Sequence, residues 1–531
     1  MNRPPASYRI PSPPANTHRQ DPTALFSVAE IRAIEEKAMA DIPPGTLMQR
    51  AAKAAASLAL ALLSRVTDSP KVLLVAGPGN NGGDALVMAC LLADAGLHPT
   101  VMVCADPARQ PDDAQRALER AQAVGVRLIA PNPEAVRHPV HWDLVVDGLF
   151  GIGLARPISG ALHSLVGAIN SLDCPVLALD VPSGLDADTG CVIGGGSEGG
   201  IAVRATHTLT FIGNKPGLHT CDGRDHAGEV QVAALDIAPE LFVPAHAWLG
   251  SISQFSSSLR KRLHSSHKGS YGDVAVIGGA HGMVGAPVLS ARAAAKSGAG
   301  RVFIGFLDEP LPYDAAHPEL MCRHASELDF RAGAVVIGPG LGTSDQAQAV
   351  LLGALQADMP LVLDADALNL LALHVHLREA LAARTMPSLM TPHPLEAARL
   401  LRISTPEVQS SRLEVARSIA RECNSVVILK GSGSVIARPD GKLIINATGN
   451  PALATAGSGD VLAGMCGALL AQSFPVWDAA LAATWMHGRA ADRLIEDGIG
   501  PIGVTASELI PMARAVYNEL TEQHAGRDPA I

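Results

Sequence analysis

Two short stretches each place glycines and an acid at the start of a helix. Gly449–Ala471 reads "GNPALATAGSGDVLAGMCGALLA", and Gly457-Ser458-Gly459-Asp460 closes its Gly/Ala-rich turn just before a clean apolar helix. Free N–H groups at such a start form an anion hole that can stabilise a transferring phosphoryl group. Asp460, in the first turn, is placed to deprotonate an attacking hydroxyl. A plain dipole-complementing acid would not need the glycines. Val75–Ala89 reads "VAGPGNNGGDALVMA" and contains G-x-G-x-x-G after an apolar run, the pattern of a phosphate-cradling dinucleotide loop. Asp84 fits that pattern badly, because its charge would repel a pyrophosphate at the helix start. Asn80 and Asn81 suit a polar substrate or a hard cation, and the plainer role for Asp84 is a helix cap.

Further acids end strand-like runs. Asp147 ends the run opening "LVVDGLFGIGLARP", and Asp180 ends the run opening "VLALDVPSGLDADTG". Ligands of open α/β sheets collect beyond the carboxyl ends of strands, so these turns and the Asn80–Asp84 loop would meet in one crevice. Asn81, Asp147 and Ser183 all offer oxygen to a monovalent or hard divalent cation. Lys215, in "TFIGNKPGLHT", reads either as a solvated loop charge or as an anion partner. In the second half, "VVILKGSGSVIA" puts Lys430–Ser434 at a strand end, where phosphates or ribose would bind. "LVLDADALNLL" offers Asp364, Asp366 and Asn369 to orient groups or to face a hydrated Mg²⁺. His393, between two prolines in "MTPHPLEAARLL", either caps a helix or meets a ligand. No G-x-x-x-x-G-K-[ST] occurs, which disfavours a P-loop fold.

The elements that position these residues alternate. Strand-like runs at Val72–Ala76, Thr100–Cys104, Leu144–Asp147, Val176–Asp180 and Thr206–Phe211 form a first series, and a second starts at Gly272. Helical patterns lie between most of them, which predicts parallel sheets covered on both faces. A chain of 531 residues exceeds one ordinary core. Net charge of −10 argues against nucleic-acid binding. The apolar stretch Ala54–Leu63 is far short of the roughly 20 residues of a spanning helix, so no membrane partner is expected. Eight scattered cysteines without C-x-x-C, and no apolar signal region, point to reduced thiols in a cytoplasmic protein.

Four of the first-half motifs, "GPGNNGGDA", "DGLFGIGLARP", "DVPSGLDADTG" and "TFIGNKPGL", resemble in order and spacing the NAD(P)H-hydrate epimerase domain, across about Ser27–Asp236. Ala85 stands where that family usually has glycine. The resemblance implies interconversion of the R and S forms of hydrated NADH or NADPH. It also implies substrate contacts at Asn80, Asn81, Gly82, Gly83, Asp84, at Gly151, Ile152, Gly153, Leu154, Ala155, Arg156, Pro157, and at Asp180. Potassium would lie at Asn81, Asp147 and Ser183, with Asp180 doing acid–base work at C6 of the nicotinamide ring.

The second half, about His264–Glu519, resembles the nucleotide-dependent NAD(P)H-hydrate dehydratase domain of the ribokinase-like superfamily, through "KGSYGDVAVIGGAHGMVGAPVLSARAAAKSGAG", "GPGLG", "DADALN", "TPHPLE", "LKGSGSVIA" and "GNPALATAGSGDVLAG". Leu395, Ala452 and Ala456 replace common glycines. The resemblance implies nucleotide binding by Lys430, Gly431, Ser432, Gly433, Ser434 and Gly459, and hydrate binding by Ala286, Gly342, His393 and Asp460. The fused arrangement favours ADP with Mg²⁺, yielding AMP and phosphate. The expectation is α/β throughout: two three-layer α/β/α domains, N-terminal Rossmann-like and C-terminal ribokinase-like. Residues 1–24 would be a disordered Pro-rich tail, 25–240 the epimerase domain, 241–262 a linker and 263–525 the dehydratase domain. A homo-oligomer, tetramer or larger, is implied. The competing reading is a ribokinase-like small-molecule kinase, which would release a stable phosphorylated product, fused to a non-catalytic nucleotide-binding domain.

Overall fold

The computed structural model describes residues 21–524 apart from 67–68, 107–108, 138–140, 196–198 and 329–332. Nearly all of the tail expected over residues 1–24 lies outside that range.

Apolar runs such as Val72–Ala76 are buried at every position. That pattern needs cover on both faces, and each sheet has it. The first sheet has the order Arg127–Ile129, Thr100–Val103, Val72–Ala76, Leu144–Gly148, Val176–Leu179, His207–Phe211, Glu229–Ala233, all neighbours parallel. Leu74 and Val146 pack with the helices Val28–Met39, Thr46–Leu62 and Asn80–Asp94 on one face. Leu73, Val75 and Val145 pack with the helix Gly160–Ile169 on the other. Strand order reverses between Val72–Ala76 and Leu144–Gly148, so the two loops that leave these strands open a crevice at the sheet's carboxyl edge. This is the expected Rossmann-like arrangement.

The second sheet runs Ala24–Leu25, Ala247–Leu249, Leu443–Ile445, Val435–Ala437, Val426–Leu429, Ser388–Met390, Leu361–Leu363, Ala334–Ile337, Asp273–Gly278, Arg301–Phe306, Met321–His324. From Val426–Leu429 onward the neighbours are parallel, and Val435–Ala437 is antiparallel to both of its partners. Val336 and Val362 face the helices Gly285–Lys296, Ser458–Ala471, Val476–Glu496 and Ala506–His524. Val335, Ile337, Leu361 and Leu363 face the helices of the opposite layer, among them Asp345–Gln356 and Arg412–Glu422. Order reverses again at Asp273–Gly278, and the loops after Gly278, Ile337, Leu363, Met390 and Leu429 share one edge.

In the stretch expected as a linker, 241–262, Leu241, Phe242, Val243 and Ala245 pack against the first domain's core, and the part from Ala247 on is built into the second domain. Ala247–Leu249 pairs in parallel with Leu443–Ile445, and Phe255 and Leu259 are buried in its core. Ala24–Leu25, expected at the tail's end, pairs antiparallel with Ala247–Leu249. Elements of two and three residues are too short to show a period, which is why their isolated apolar residues read as irregular.

The helix that carries Asp460 is fixed by a close helix–helix approach. A Cβ on Gly464 would lie 2.0 Å from the Ser290 carbonyl oxygen of Gly285–Lys296. Gly464→Ala should therefore push the two helices apart and destabilise the fold by about 1–3 kcal/mol. A Tm equal to that of the unsubstituted protein in thermal unfolding would contradict this packing.

Candidate functional site

The first crevice holds a cavity of about 790 Å³, lined among others by Glu35, Asn80, Asn81, Asp84, the run Gly151–Arg156 and Asp180. Asp180 follows the strand Val176–Leu179 in a left-handed turn, φ 66°, that lifts its carboxylate over the strand end. Lys215 is fully buried, and its Nζ lies 2.8 Å from Asp180 Oδ1. The same ammonium donates to Thr210 Oγ1 at 2.7 Å and to the carbonyls of Phe211 and Gly213 at 2.9 and 3.1 Å. Lys215 is thus not a solvated loop charge but the partner of an anion, the Asp180 carboxylate. Every donor on its ammonium faces an oxygen, so it is held in place and holds Asp180 in turn.

Asp84 is not a helix cap. The helix starts at Asn80 with Gly79 as its N-cap, and Asp84 lies a full turn further in, buried. Burial drives its carboxyl well above the usual range, and the charges of Asp180 and Glu35 push the same way. Glu35, which sequence reasoning missed, is also raised, by burial first and then by Asp180. Glu35 sits in the amphipathic helix Val28–Met39 and carries no motif. One cavity therefore joins an ion-paired carboxylate to two acids biased toward their neutral form, a base beside proton donors.

Three expected contacts fall outside this lining. A Cβ on Gly82 would meet the Gly77 carbonyl oxygen at 2.0 Å, and one on Gly83 the Met48 Cε at 2.4 Å, so both glycines serve the packing of the loop and helix. Pro157 is exposed beyond the rim. Of the potassium candidates, Asp147 and Ser183 are joined directly, and Asn81 lines the cavity. Asp147, fully buried, accepts from Ser183 Oγ at 2.6 Å, Ser183 N at 2.8 Å and Leu149 N at 3.1 Å. Burial pushes its carboxyl up to about 6 against those bonds. Asn81 donates its amide to the Leu179 carbonyl at 3.2 Å, which leaves its side-chain oxygen as the ligand-competent atom. This donor set is oxygen only and includes a buried carboxylate, which fits a hard monovalent cation.

In the second crevice Lys430 ends the strand Val426–Leu429, and its Nζ lies 2.9 Å from Oδ1 of the buried Asp364. Burial alone would pull this ammonium down, but Asp364, Glu396 and Asp460 hold it above its usual value. Asp460 is the third residue of the helix Ser458–Ala471, whose N-cap Gly457 (φ 87°) gives no side-chain cap. The first-turn N–H groups are thereby left for a ligand. Burial, then the Asp364 charge, pushes Asp460 up to about 7, against the pull of Lys430. Gly459 stands directly over the pair, since a Cβ there would sit 3.1 Å from Lys430 Nζ. Gly342 donates its N–H to Asp366 Oδ2 at 2.8 Å, and Ala286 faces Gly340 across the neighbouring loop.

His393 does cap a helix. Its Nδ1 accepts from the N–H groups of Leu395 and Glu396 at 3.1 and 3.2 Å, and its own N–H donates to Glu396 Oε2 at 2.7 Å. Its Nε2 lies 3.2 Å from Glu396 Oε1, so both ring nitrogens face the start of this helix. Burial and then Lys430 lower His393, so the ring is biased to neutral. Leu395 contributes its backbone to this cap and keeps its side chain half exposed, so glycine is dispensable there. Glu396, buried and raised to about 7 chiefly by burial, was also missed, although its spacing of three from His393 signals a capping box.

Residues 274–513 match the family described as NAD(P)H-hydrate dehydratase, and residues 44–217 match the YjeF-related protein N-terminus family. The bifunctional NAD(P)H-hydrate repair enzyme Nnr of Coxiella burnetii is 38% identical over 510 residues, covering 93% of this chain and 100% of that protein. The protein of the same name from Escherichia coli K12 is 35% identical over 524 residues, 95% of this chain and 96% of that one. Among solved structures, an ADP/ATP-dependent NAD(P)H-hydrate dehydratase from Bacillus subtilis, co-crystallised with ATP/Mg²⁺, is 31% identical and covers 51% of this chain and 97% of its own, with a TM-score of 0.44. Matched along both halves at this identity, the chain belongs to the bifunctional NAD(P)H-hydrate repair enzymes.

Proposed function

We propose that the two crevices work in sequence on hydrated NADH and NADPH. The first epimerises the R and S forms, and the second dehydrates the S form at the expense of ADP, giving AMP and phosphate. The observation that carries this reading is the pairing of two separate acid–base centres, each built on a lysine–aspartate ion pair at the carboxyl edge of its sheet. In the first, Asp180, held by Lys215, does the acid–base work for inversion at C6, with Asp84 or Glu35 as proton donor. In the second, Asp460 takes the proton of the C6 hydroxyl as that oxygen attacks the terminal phosphoryl of the nucleotide. The helix N-terminus and Lys430 receive the phosphoryl charge. Departure of phosphate with the C5 proton then restores the C5–C6 double bond. A small-molecule kinase would stop at the phosphorylated product.

Mg²⁺ fits as a hydrated ion on the nucleotide phosphates, since Asp364, Asp366 and Asp460 give that edge oxygen and negative charge, and bound there it would offset phosphate charge. Asn81, Asp147 and Ser183 would hold K⁺, which would tie the loops after three adjacent strands together.

Incubation of the protein with mixed R and S hydrate and ADP should regenerate NADH absorbance until both epimers are consumed; no recovery with ADP or ATP overturns the dehydratase assignment. Asp460→Asn should slow dehydration by ~10²–10⁴ and leave epimerisation intact, whereas Asp180→Asn or Lys215→Met should leave the R form unconsumed. A shared loss of both activities in one variant contradicts two independent centres.

Asp460 must be ionised to act as a base. With its carboxyl raised to about 7, kcat/KM for dehydration should fall as pH drops below 7. The slope should approach about tenfold per unit, and a flat profile from pH 8 to 5.5 removes Asp460 as the base. Separately, KCl at constant ionic strength should raise the Tm of the unsubstituted chain but not of Asp147→Asn. Equal shifts in the two proteins would place the cation elsewhere.

A further inference from the structure

The loop Lys430–Ser434 belongs to the second domain, yet part of what holds it comes from the first. Thr220 Oγ donates to the carbonyls of Ser432 and Gly433, both at 3.1 Å. The Cys221 N–H donates to Ser432 O at 3.1 Å, and Ser432 Oγ donates to Cys221 O at 2.8 Å. Arg412, 2% exposed, donates Nε to Thr220 Oγ at 3.0 Å and its terminal nitrogens to the carbonyls of Leu429, Lys430 and Gly433 at 3.3–3.4 Å. Arg224 reaches the other strand-end segment, donating to Gly449 O at 2.7 Å and Thr448 O at 3.3 Å.

The loop glycines answer to this joint. A Cβ on Gly433 (φ 60°) would lie 2.0 Å from the His219 carbonyl oxygen, and one on Gly431 (φ 135°) 2.8 Å from an Arg412 nitrogen. Side chains are thus barred by the neighbouring domain and by Arg412. The remaining carbonyls are tied as well: Gly431 O accepts from Ser434 Oγ, and Ser434 O from Asn446 N. The carbonyls of Lys430, Ser432, Gly433 and Ser434 therefore turn toward the protein. A trans peptide sets its N–H opposite its C=O, so the N–H edge of the loop turns the other way, as an anion-binding backbone requires.

We propose that Thr220, seated by Arg412, and Arg224 are positioning residues of the dehydratase nucleotide site, so that the epimerase domain sets the affinity of its neighbour for ADP. This rests on the reading of Lys430–Ser434 as the nucleotide loop. Thr220 orients the peptides whose N–H groups belong to Gly433 and Ser434, and Arg224 steadies the segment that leads to the Gly457–Asp460 turn.

Calorimetric titration of the full chain with ADP tests it. Thr220→Val should weaken ADP binding about tenfold, from the loss of its hydrogen bonds to the loop. Thr220→Ser should restore it to within about twofold, since the hydroxyl returns. In turnover, Thr220→Val should raise KM for ADP while kcat, KM for the hydrate and the epimerisation rate stay unchanged. Arg224→Leu, at an exposed position that tolerates substitution, should also weaken ADP and serves if the Thr220 variant does not fold. Amide exchange keeps the two readings apart. ADP should slow exchange at 431–434; no protection there removes the nucleotide loop itself. Protection there with unchanged ADP affinity in both variants overturns the positioning role.

Discussion

Each crevice is organised around one ammonium taken out of water beside one carboxylate: Lys215 with Asp180 at 2.8 Å, and Lys430 with Asp364 at 2.9 Å. Burying such charges is costly unless every donor and acceptor is met. Lys215 meets the condition with Thr210 and two carbonyls. Those acceptors come from the strand end and turn that follow Thr210, so the ion pair dictates the course of the chain there. Lys430 is less enclosed, with Asp364 in contact and the charges of Glu396 and Asp460 nearby. Burial first, and then the Asp364 charge, pushes Asp460 beside it up to about 7. The same device thus fixes a carboxylate in one domain and makes an adjustable base in the other.

Both pairs sit at the carboxyl edge of their sheet, Asp180 after the strand Val176–Leu179, Asp364 after Leu361–Leu363 and Lys430 after Val426–Leu429. The glycines of the first loop are there for backbone contacts such as Gly77 against Leu149, while the ligand-facing groups are Asn80, Asn81 and Asp84. This resolves the mismatch between the dinucleotide pattern and its acid: Asp84 lies inside the helix, lines the cavity, and is held well above the usual carboxylate range by burial.

The central strands were legible because parallel, doubly buried runs such as Val72–Ala76 and Ala334–Ile337 are apolar at every position. The edges were not. Glu229–Ala233 has no buried residue, and Ala24–Leu25 and Ala247–Leu249 span too few residues for a pattern. Motif residues emerged from the resemblance and their glycine context, but their partners did not. Glu35 is one acid in an ordinary amphipathic helix. Lys215 gave no sign of burial, because a loop lysine beside proline reads as solvated. Arg412 and Thr220 are 192 positions apart, and only the docking of two domains brings them together.

The short pairing of Ala24–Leu25 with Ala247–Leu249 also has a bearing on solubility. Without these strands, Leu443–Ile445 would end the second sheet with its backbone N–H and C=O groups open to any passing strand. The chain thus covers that edge with Ala24–Leu25 and with the connection between its halves. A dehydratase half cut free at residue 263 would present an apolar, hydrogen-bonding rim, and its tendency would be to pair with copies of itself. Covalent fusion here doubles as edge protection.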